Sequence, residues 1–458
     1  MTGIKKPSVA GQFYSSEKDE LLHQLSEFKR KSVRGNDEAR SRLVIAPHAG
    51  YVYSGQLMSE SIHSLRDDLE NIFIIAPAHR VPFIGLALTG YDAWQTPLGT
   101  IDVNQDLNKI LIRELSAACF DEAFQPEHAA EVQVPFIQFR FGSGVKIVPV
   151  LVGRAVPGKV IEILNRFYDD PKNGFIISSD LSHFLPARQA NELDAATARM
   201  IESGDVSRFR ADQACDATGV CASVQFAAKR GWSFIRNALC NSGDVTGDRS
   251  QVVGYGSWFL FEGSAETFLK QHYSRYILET VRHNIESELN RGRPLTRGEL
   301  GVIPAVMERD GACFVTLHLN GNLRGCIGSI QSRGPLIDDL LANSWNAAFG
   351  DPRFPPITQQ EWKDISLDVS LLTPSWPIQF RTQEEMLAQI EPFRHGLIIA
   401  DRGHRAVFLP SVWEQLPEKE AFLAHLKVKA GMPRDHFSPT FEARLFTSEM
   451  IQEHECQD

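Results

Sequence analysis

Three short apolar runs in the first half of the chain each lead into a side chain that can ligate a metal. Leu43–Ala46 leads through Pro47 to His48, Ile72–Ala76 leads through Pro77 and Ala78 to His79, and Phe175–Ser178 leads through Ser179 to Asp180, with His183 three residues further on. Such short continuous apolar runs, rich in Ile and Phe and bounded by Pro or Ser, predict buried parallel strands. In an open α/β sheet, ligands gather outside the carboxyl ends of the strands, so three strands aiming His or Asp at one edge predict a single composite site. A lone histidine at a strand end is as readily a turn cap. The repetition argues for a site, because the two Ile-Ala-Pro segments place their imidazoles roughly 30 residues apart, the length of one β-α-β unit.

The same alternation continues over residues 1–263. Apolar runs at Gly85–Leu88, Val145–Val152 and Val252–Phe261 are separated by helical stretches such as Arg188–Ser203, where Leu193, Ala196 and Met200 share one face and Glu192 and Asp194 lie away from it. The expected class is α/β with a layered, largely parallel sheet. A chain of 458 residues exceeds the size at which one core keeps growing, and two domains are expected.

A polar break at Glu262–Glu266 precedes a long amphipathic helix over about Ala265–Leu289, and a second domain, 266–458, is placed there. Asn320-Gly321 between two alternating runs predicts a hairpin, which makes this domain α+β with antiparallel pairing. Just after the turn, Asn322-Leu-Arg324-Gly325-Cys326-Ile-Gly328 sets a cation and a thiol between glycines. With Arg353 in Asp351-Pro-Arg353-Phe-Pro-Pro356, Arg324 and Cys326 form a candidate second-domain site, and a plain structural hairpin with a buried cysteine is the alternative.

Net charge of −10 and a pI near 5.8 argue against a broad nucleic-acid-binding surface, although Lys427, Lys429 and Arg434 form a local basic patch. No apolar run is long enough to span a bilayer, and the first residues lack the apolar core of a signal peptide, so a cytoplasmic location with no membrane contact is expected. Seven dispersed cysteines without a C-x-x-C pair fit neither a disulfide framework nor a zinc ribbon. Cys215 and Cys326 stand out by their surroundings.

Further site candidates come from Pro126-Glu127-His128-Ala-Ala-Glu131, where His128 and Glu131 at i and i+3 are expected on one helix face projecting into one pocket. Cys215 sits at an expected helix start, where the helix dipole favours thiolate. Neutral imidazole with carboxylate or thiolate suits Fe(II), Zn(II) or Cu, and the residues alone leave the ion open.

The segments Ala46-Pro-His48-Ala-Gly-Tyr51-Val-Tyr53-Ser-Gly55, Ala76-Pro-Ala-His79, Glu127-His128 through Pro135, and Ser178-Ser-Asp180-Leu-Ser-His183 resemble the Memo family in matching order over roughly residues 3 to 263. That resemblance implies a fold like the class III extradiol dioxygenases. It also implies His48, His79 and Cys215 as ligands of a divalent metal, Fe(II) above Cu or Zn, with the catalytic candidates Asp180, His183 and His128 lining the pocket. The chain departs from the family pattern after Cys215, where Asp-Ala-Thr-Gly-Val stands, so Asp216, Cys221 and Asp180 stay open as the anionic ligand.

Leu323-Arg-Gly-Cys-Ile-Gly328 and Asp351-Pro-Arg-Phe-Pro-Pro356, with Asp368–Leu372 and His395-Gly-Leu-Ile398, are similar to the AMMECR-like domain over about residues 266 to 455. The two resemblances together imply the AmmeMemoRadiSam system and a separate radical-SAM partner, since no C-x-x-x-C-x-x-C is present. The expected function is a metal-dependent, dioxygenase-like oxidoreductase acting on a small molecule or a modified macromolecule. The alternative is a non-catalytic metal-binding adaptor. No nucleotide-binding motif is present, and nucleic-acid modification is disfavoured by charge.

Overall fold

The computed structural model describes residues 3–32, 40–154 and 157–456, in two compact units, Met1–Gly263 and Ser264–Asp458.

The first unit is built on a nine-stranded mixed sheet. Its order runs His183–Leu185, Val252–Phe261, Leu43–Ala46, Asn173–Ser178, Asn71–Pro77, Lys146–Val152, Leu86–Leu88, Ala118–Cys119, and Ser233–Asn241 also pairs with Val252–Phe261. The four strands from Leu43–Ala46 to Lys146–Val152 are parallel, with Ala46 opposite Ser178, Ile75 opposite Ile177 and Ala76 opposite Leu151. Their side chains are buried almost without exception, as a sheet covered on both faces requires. Phe73, Ile75, Val148, Phe175 and Ile177 pack with Val160, Ile163 and Leu164 of helix Pro157–Phe167 and with Val220 and Val224 of helix Ala217–Ala228.

The sheet is parallel at its centre and again at the edge pair of Leu86–Leu88 with Ala118–Cys119. Val252–Phe261 runs antiparallel to Leu43–Ala46, and Leu86–Leu88 runs antiparallel to Lys146–Val152. The first of these reversals arises because Ser233–Asn241 and Val252–Phe261 form a long hairpin around the short helix Ser242–Thr246, which brings the chain back along the Leu43 strand.

Helix Ala187–Ser203 matches the expected span, but Asp194 is buried against the sheet edge rather than solvated. Its carboxylate accepts the Ser182 N–H at 3.0 Å and the Ser182 hydroxyl at 3.1 Å, and it closes over Gly254, where a Cβ would lie 1.8 Å from Oδ2. Burial raises this carboxyl to about 6. A charge that reads as solvated by spacing thus holds the loop between Asp180 and His183.

The second unit has two four-stranded antiparallel sheets. One runs Asn322–Gly328, Ala312–Leu319, Ile365–Leu372, Ser448–Gln452; the other runs Trp376–Pro377, Glu442–Phe446, Gly396–Asp401, His404–Phe408. Asn320 and Gly321 both take positive φ, 51° and 78°, the geometry that a two-residue hairpin with right-handed strand twist demands. Helix Ala265–Arg291 is capped by Ser264, whose side chain accepts the Thr267 N–H, and ends at Gly292 in the left-handed region. Among the described residues no helix is long and apolar enough to cross a membrane.

Candidate metal centre

His48, Asp180 and His79 follow directly from three adjacent central strands, so the sheet itself sets their proximity. His48, His79 and Cys215 each offer one donor atom, and these atoms lie within 4.8 Å of one another. His48 Nε2 stands 3.1 Å from Cys215 Sγ. The rings of His48, His79 and His128 are mutually packed, with centroids 5.0 to 5.4 Å apart.

Hydrogen bonding settles which ring nitrogen is open. The single hydroxyl proton of Ser178 goes to the Ala129 carbonyl at 2.7 Å, and Ser178 Oγ accepts from Gln133 Nε2 at 3.0 Å. His48 Nδ1, 3.0 Å from the same oxygen, must therefore donate its proton, which leaves Nε2 with a bare lone pair toward Cys215. His79 Nδ1 faces Glu127 Oε1 at 2.9 Å and donates to it, so its Nε2 is open as well. A carboxylate or hydroxyl behind each imidazole is the usual way of orienting histidine ligands.

Glu127 is buried and its oxygens are fully engaged. Oε1 also accepts the N–H groups of His128 and Ala129, both at 3.0 Å, and Oε2 accepts the N–H of His79 at 2.6 Å. Burial works to raise its pKa, but the His79 hydrogen bond and these amides outweigh it and hold the carboxyl down to about 2. Glu127, His79 and His128 also lie close enough to share an ion. The commitment of Glu127 to four N–H donors makes it the support of His79 rather than a ligand.

Burial, reinforced by the neighbouring His79, depresses His48 to about 3, and burial with the neighbouring His48 depresses His128 to about 4. Both imidazoles are neutral near pH 7, as ligation requires. Cys215 does not follow the helix-dipole expectation. It lies one residue before Asp216, the N-cap of helix Ala217–Ala228, and burial, then the Asp180 carboxylate, pushes its thiol well up. A bound cation reverses that direction. Beside it, Asp216 Oδ1 accepts the Gly219 N–H at 2.9 Å, while its buried Oδ2 has no partner among the described residues. Two open imidazole nitrogens and a thiol beside an unsatisfied carboxylate oxygen fit a divalent transition metal by donor chemistry.

The other sequence candidates divide. Asp180 stands behind His48, accepting its N–H at 2.7 Å, and burial raises its carboxyl. His183 is exposed, with Nδ1 committed to the Leu181 carbonyl at 2.8 Å. His128 and Glu131 do not share a pocket: Glu131 begins the short 3-10 turn Glu131–Gln133 and turns away to Lys5 Nζ at 2.7 Å, the N–H groups of Ser8 and Val9, and the Tyr14 hydroxyl. Glu127, adjacent to His128 in sequence, is the carboxylate that reaches the site. The signal for it was its position in the same motif.

A cavity of about 560 Å³ opens on His128 and is lined by Lys6, Ser8, Phe13, Arg80 and Gln125. A second, of about 250 Å³, reaches Cys215 and Asp216 past Phe83, Arg154 and Thr218.

Residues 5–259 match the family model described as Memo-like protein, and residues 278–451 match that described as AMMECR1. The chain is 34% identical over 272 residues to a MEMO1 family protein of Thermoplasma acidophilum, an alignment covering 55% of this chain and 97% of that protein. It is 30% identical over 272 residues to a MEMO1 family protein of Aquifex aeolicus, covering 56% and 99%. Among solved structures it is similar to an uncharacterized protein of Pyrococcus horikoshii, at 29% identity with a TM-score of 0.37 over 39% of this chain and 89% of that one.

Proposed function

Because the chain belongs to the Memo family and carries an AMMECR1 region in the same polypeptide, we propose that its first unit is a metal-dependent oxidoreductase of the extradiol-dioxygenase type. The observation that carries this reading is the convergence of two imidazoles with open Nε2 atoms on the Cys215 thiol. In the proposal His48, His79 and Cys215 hold Fe(II), and such an ion, once bound, supplies Lewis acidity and one-electron chemistry toward a small substrate.

The protein's own groups then do the rest. His128 lines the larger cavity and is neutral near pH 7, so its ring can hydrogen-bond a substrate hydroxyl there. Phe13, 4.6 Å from the His128 ring, gives a planar substrate a surface to stack on. Asp180 fixes the backbone of His48, and His183 is reachable from solvent.

The test is the metal content of anaerobically purified protein, with an absorption-edge spectrum to name the ion. We expect about one equivalent of iron per chain, lost in His48→Ala/His79→Ala. Unchanged content in that variant rejects the reading. The presence of both family regions in one chain favours a second reading, an adaptor that docks a separate radical-SAM protein. A stable complex with such a protein, together with no turnover across a panel of hydroxylated aromatics, would favour it.

A further inference from the structure

The larger cavity of the first unit has a charge opposite to that of the chain. The sequence carries 57 Asp and Glu against 47 Lys and Arg. Yet this cavity of about 560 Å³ is lined by Lys6 and Arg80 and, among the described residues, by no carboxylate. An acidic protein repels small anions, so a site that admits one needs cations of its own at the cleft.

Both cations are open to a ligand. Arg80, which follows His79 in sequence, is exposed, and no carboxylate pairs with it among the described residues. Lys6 Nζ donates to Gln95 Oε1 at 2.6 Å, which leaves its other N–H donors open, and it too has no carboxylate partner among the described residues. The neighbouring Lys5 differs, being buried and spent on Glu131 at 2.7 Å. So do the arginines of the second-domain motifs: Arg324 is held by Glu361 at 3.0 Å and Arg353 by Asp351 at 2.7 Å, which leaves Cys326 with no open cation from either.

The rest of the lining is firmly built. Glu131 accepts the N–H groups of Ser8 at 2.9 Å and Val9 at 3.0 Å, which anchors the segment that carries Lys6. Phe13 is fixed from both sides of its peptide, donating its N–H to the Val9 carbonyl at 2.9 Å and accepting the Tyr51 N–H at 2.7 Å. Its ring lies 4.6 Å from that of His128, and the His128 ring stacks on His79 with centroids 5.0 Å apart. One cavity thus offers two cations, an aromatic face and an imidazole packed on the ligand candidate His79.

We infer that the substrate of this cavity is a planar ring bearing a carboxylate, with the carboxylate held by Arg80 and Lys6 and the ring laid against Phe13 beside His128. The Arg80 guanidinium supplies the planar fork that matches a carboxylate, and Lys6 adds a second charge without a fixed geometry. The volume lies in the range of sites that take small organic ligands. The inference rests on the reading of this cavity as the substrate site of the metal centre and adds the chemical class that the site selects.

The test titrates para-hydroxybenzoate and para-hydroxybenzamide into the full chain by calorimetry after metal has been removed with a chelator. The two probes share a ring and a hydroxyl and differ by one negative charge. We expect the acid to bind about fivefold or more tightly than the amide at low salt, and this preference to shrink in about 0.5 M sodium chloride. Arg80→Met should bring the preference to within about twofold while leaving the affinity for the amide unchanged, Arg80→Lys should keep most of it, and Lys6→Met should reduce it. Equal affinities for the two probes, a preference unmoved by Arg80→Met, a loss of acid and amide binding alike in that variant, or no binding of either probe up to about 10 mM would each overturn the inference. Because no metal takes part, a chain that holds no iron can still show the preference and one that holds iron can lack it, so the two readings fail separately.

Discussion

His48 Nε2 and Cys215 Sγ face each other at 3.1 Å across 167 positions of sequence, one atom brought by a central strand and the other by the approach to a helix. At that separation both atoms can reach one ion. Cys215→Ser should weaken metal binding by about 100-fold or more, read by competition with a chromogenic chelator, because a hydroxyl is a far poorer ligand than a thiolate. Unchanged affinity would hand the third position to another group, Asp180 or Asp216 first.

Glu127→Gln keeps the size of the side chain but presents an amide NH₂ to some of the four N–H groups that Glu127 now accepts. Loss of a carboxylate behind a histidine ligand typically costs 10- to 100-fold in affinity, and about that reduction is expected in the same chelator competition.

The same residue sets an acid limit. Glu127 is held to about 2, against 4.5 for a free glutamate, so the folded state binds its proton more weakly than the unfolded chain does. Its contribution is complete above the unfolded value and is lost as pH falls from 4.5 toward 2. Urea midpoints measured down to about pH 3 should fall in the parent and fall less steeply in Glu127→Gln. Equal slopes would remove Glu127 as the cause.

Lys5 and Glu131 form an ion pair at 2.7 Å with both side chains buried, and it ties down the segment whose Lys6, Ser8 and Phe13 line the larger cavity. Lys5→Met should destabilise the first unit by about 3–5 kcal/mol in denaturant titration, since Glu131 is left charged and buried. Lys5→Met with Glu131→Gln should cost less than the sum of the two single changes.

Gly325 precedes Cys326 for a steric reason. A Cβ there would lie 2.1 Å from the Ala347 carbonyl oxygen, which is backbone and cannot swing aside. Gly325→Ala should therefore lower the stability of the second unit by about 1–3 kcal/mol, visible as an earlier thermal transition. An unshifted transition would show that the strand is free to move.

Much of this architecture is legible in the sequence where a local pattern repeats. The central strands ending on His48, His79 and Asp180, and the Asn320-Gly321 hairpin, follow from short-range periodicity and turn chemistry. The misses have tertiary causes. Helical spacing puts Glu131, at i+3, beside His128 and sets Glu127 aside, but the segment is a turn followed by a 3-10 helix, and packing turns Glu127 to His79 and Glu131 to Lys5. Asp194 occupies a polar position of its helix, yet the sheet edge at Gly254 covers it. Arg324 looks free to bind an anion because its partner, Glu361, lies 37 positions away.

The adjacency of the strands Leu43–Ala46, Asn173–Ser178 and Asn71–Pro77 has a consequence for how such a centre can vary. Neighbouring strands are held about 4.8 Å apart by their backbone hydrogen bonds, a spacing independent of side-chain identity. The backbone at His48, Asp180 and His79 therefore inherits its span from a repeat distance of the sheet, not from the length or stiffness of any connecting loop. Crossover segments can lengthen, shorten or change composition while the gauge between the imidazoles stays put. A one-residue slip of any of the three strands would do the opposite, turning a ligand to the wrong face with every loop intact.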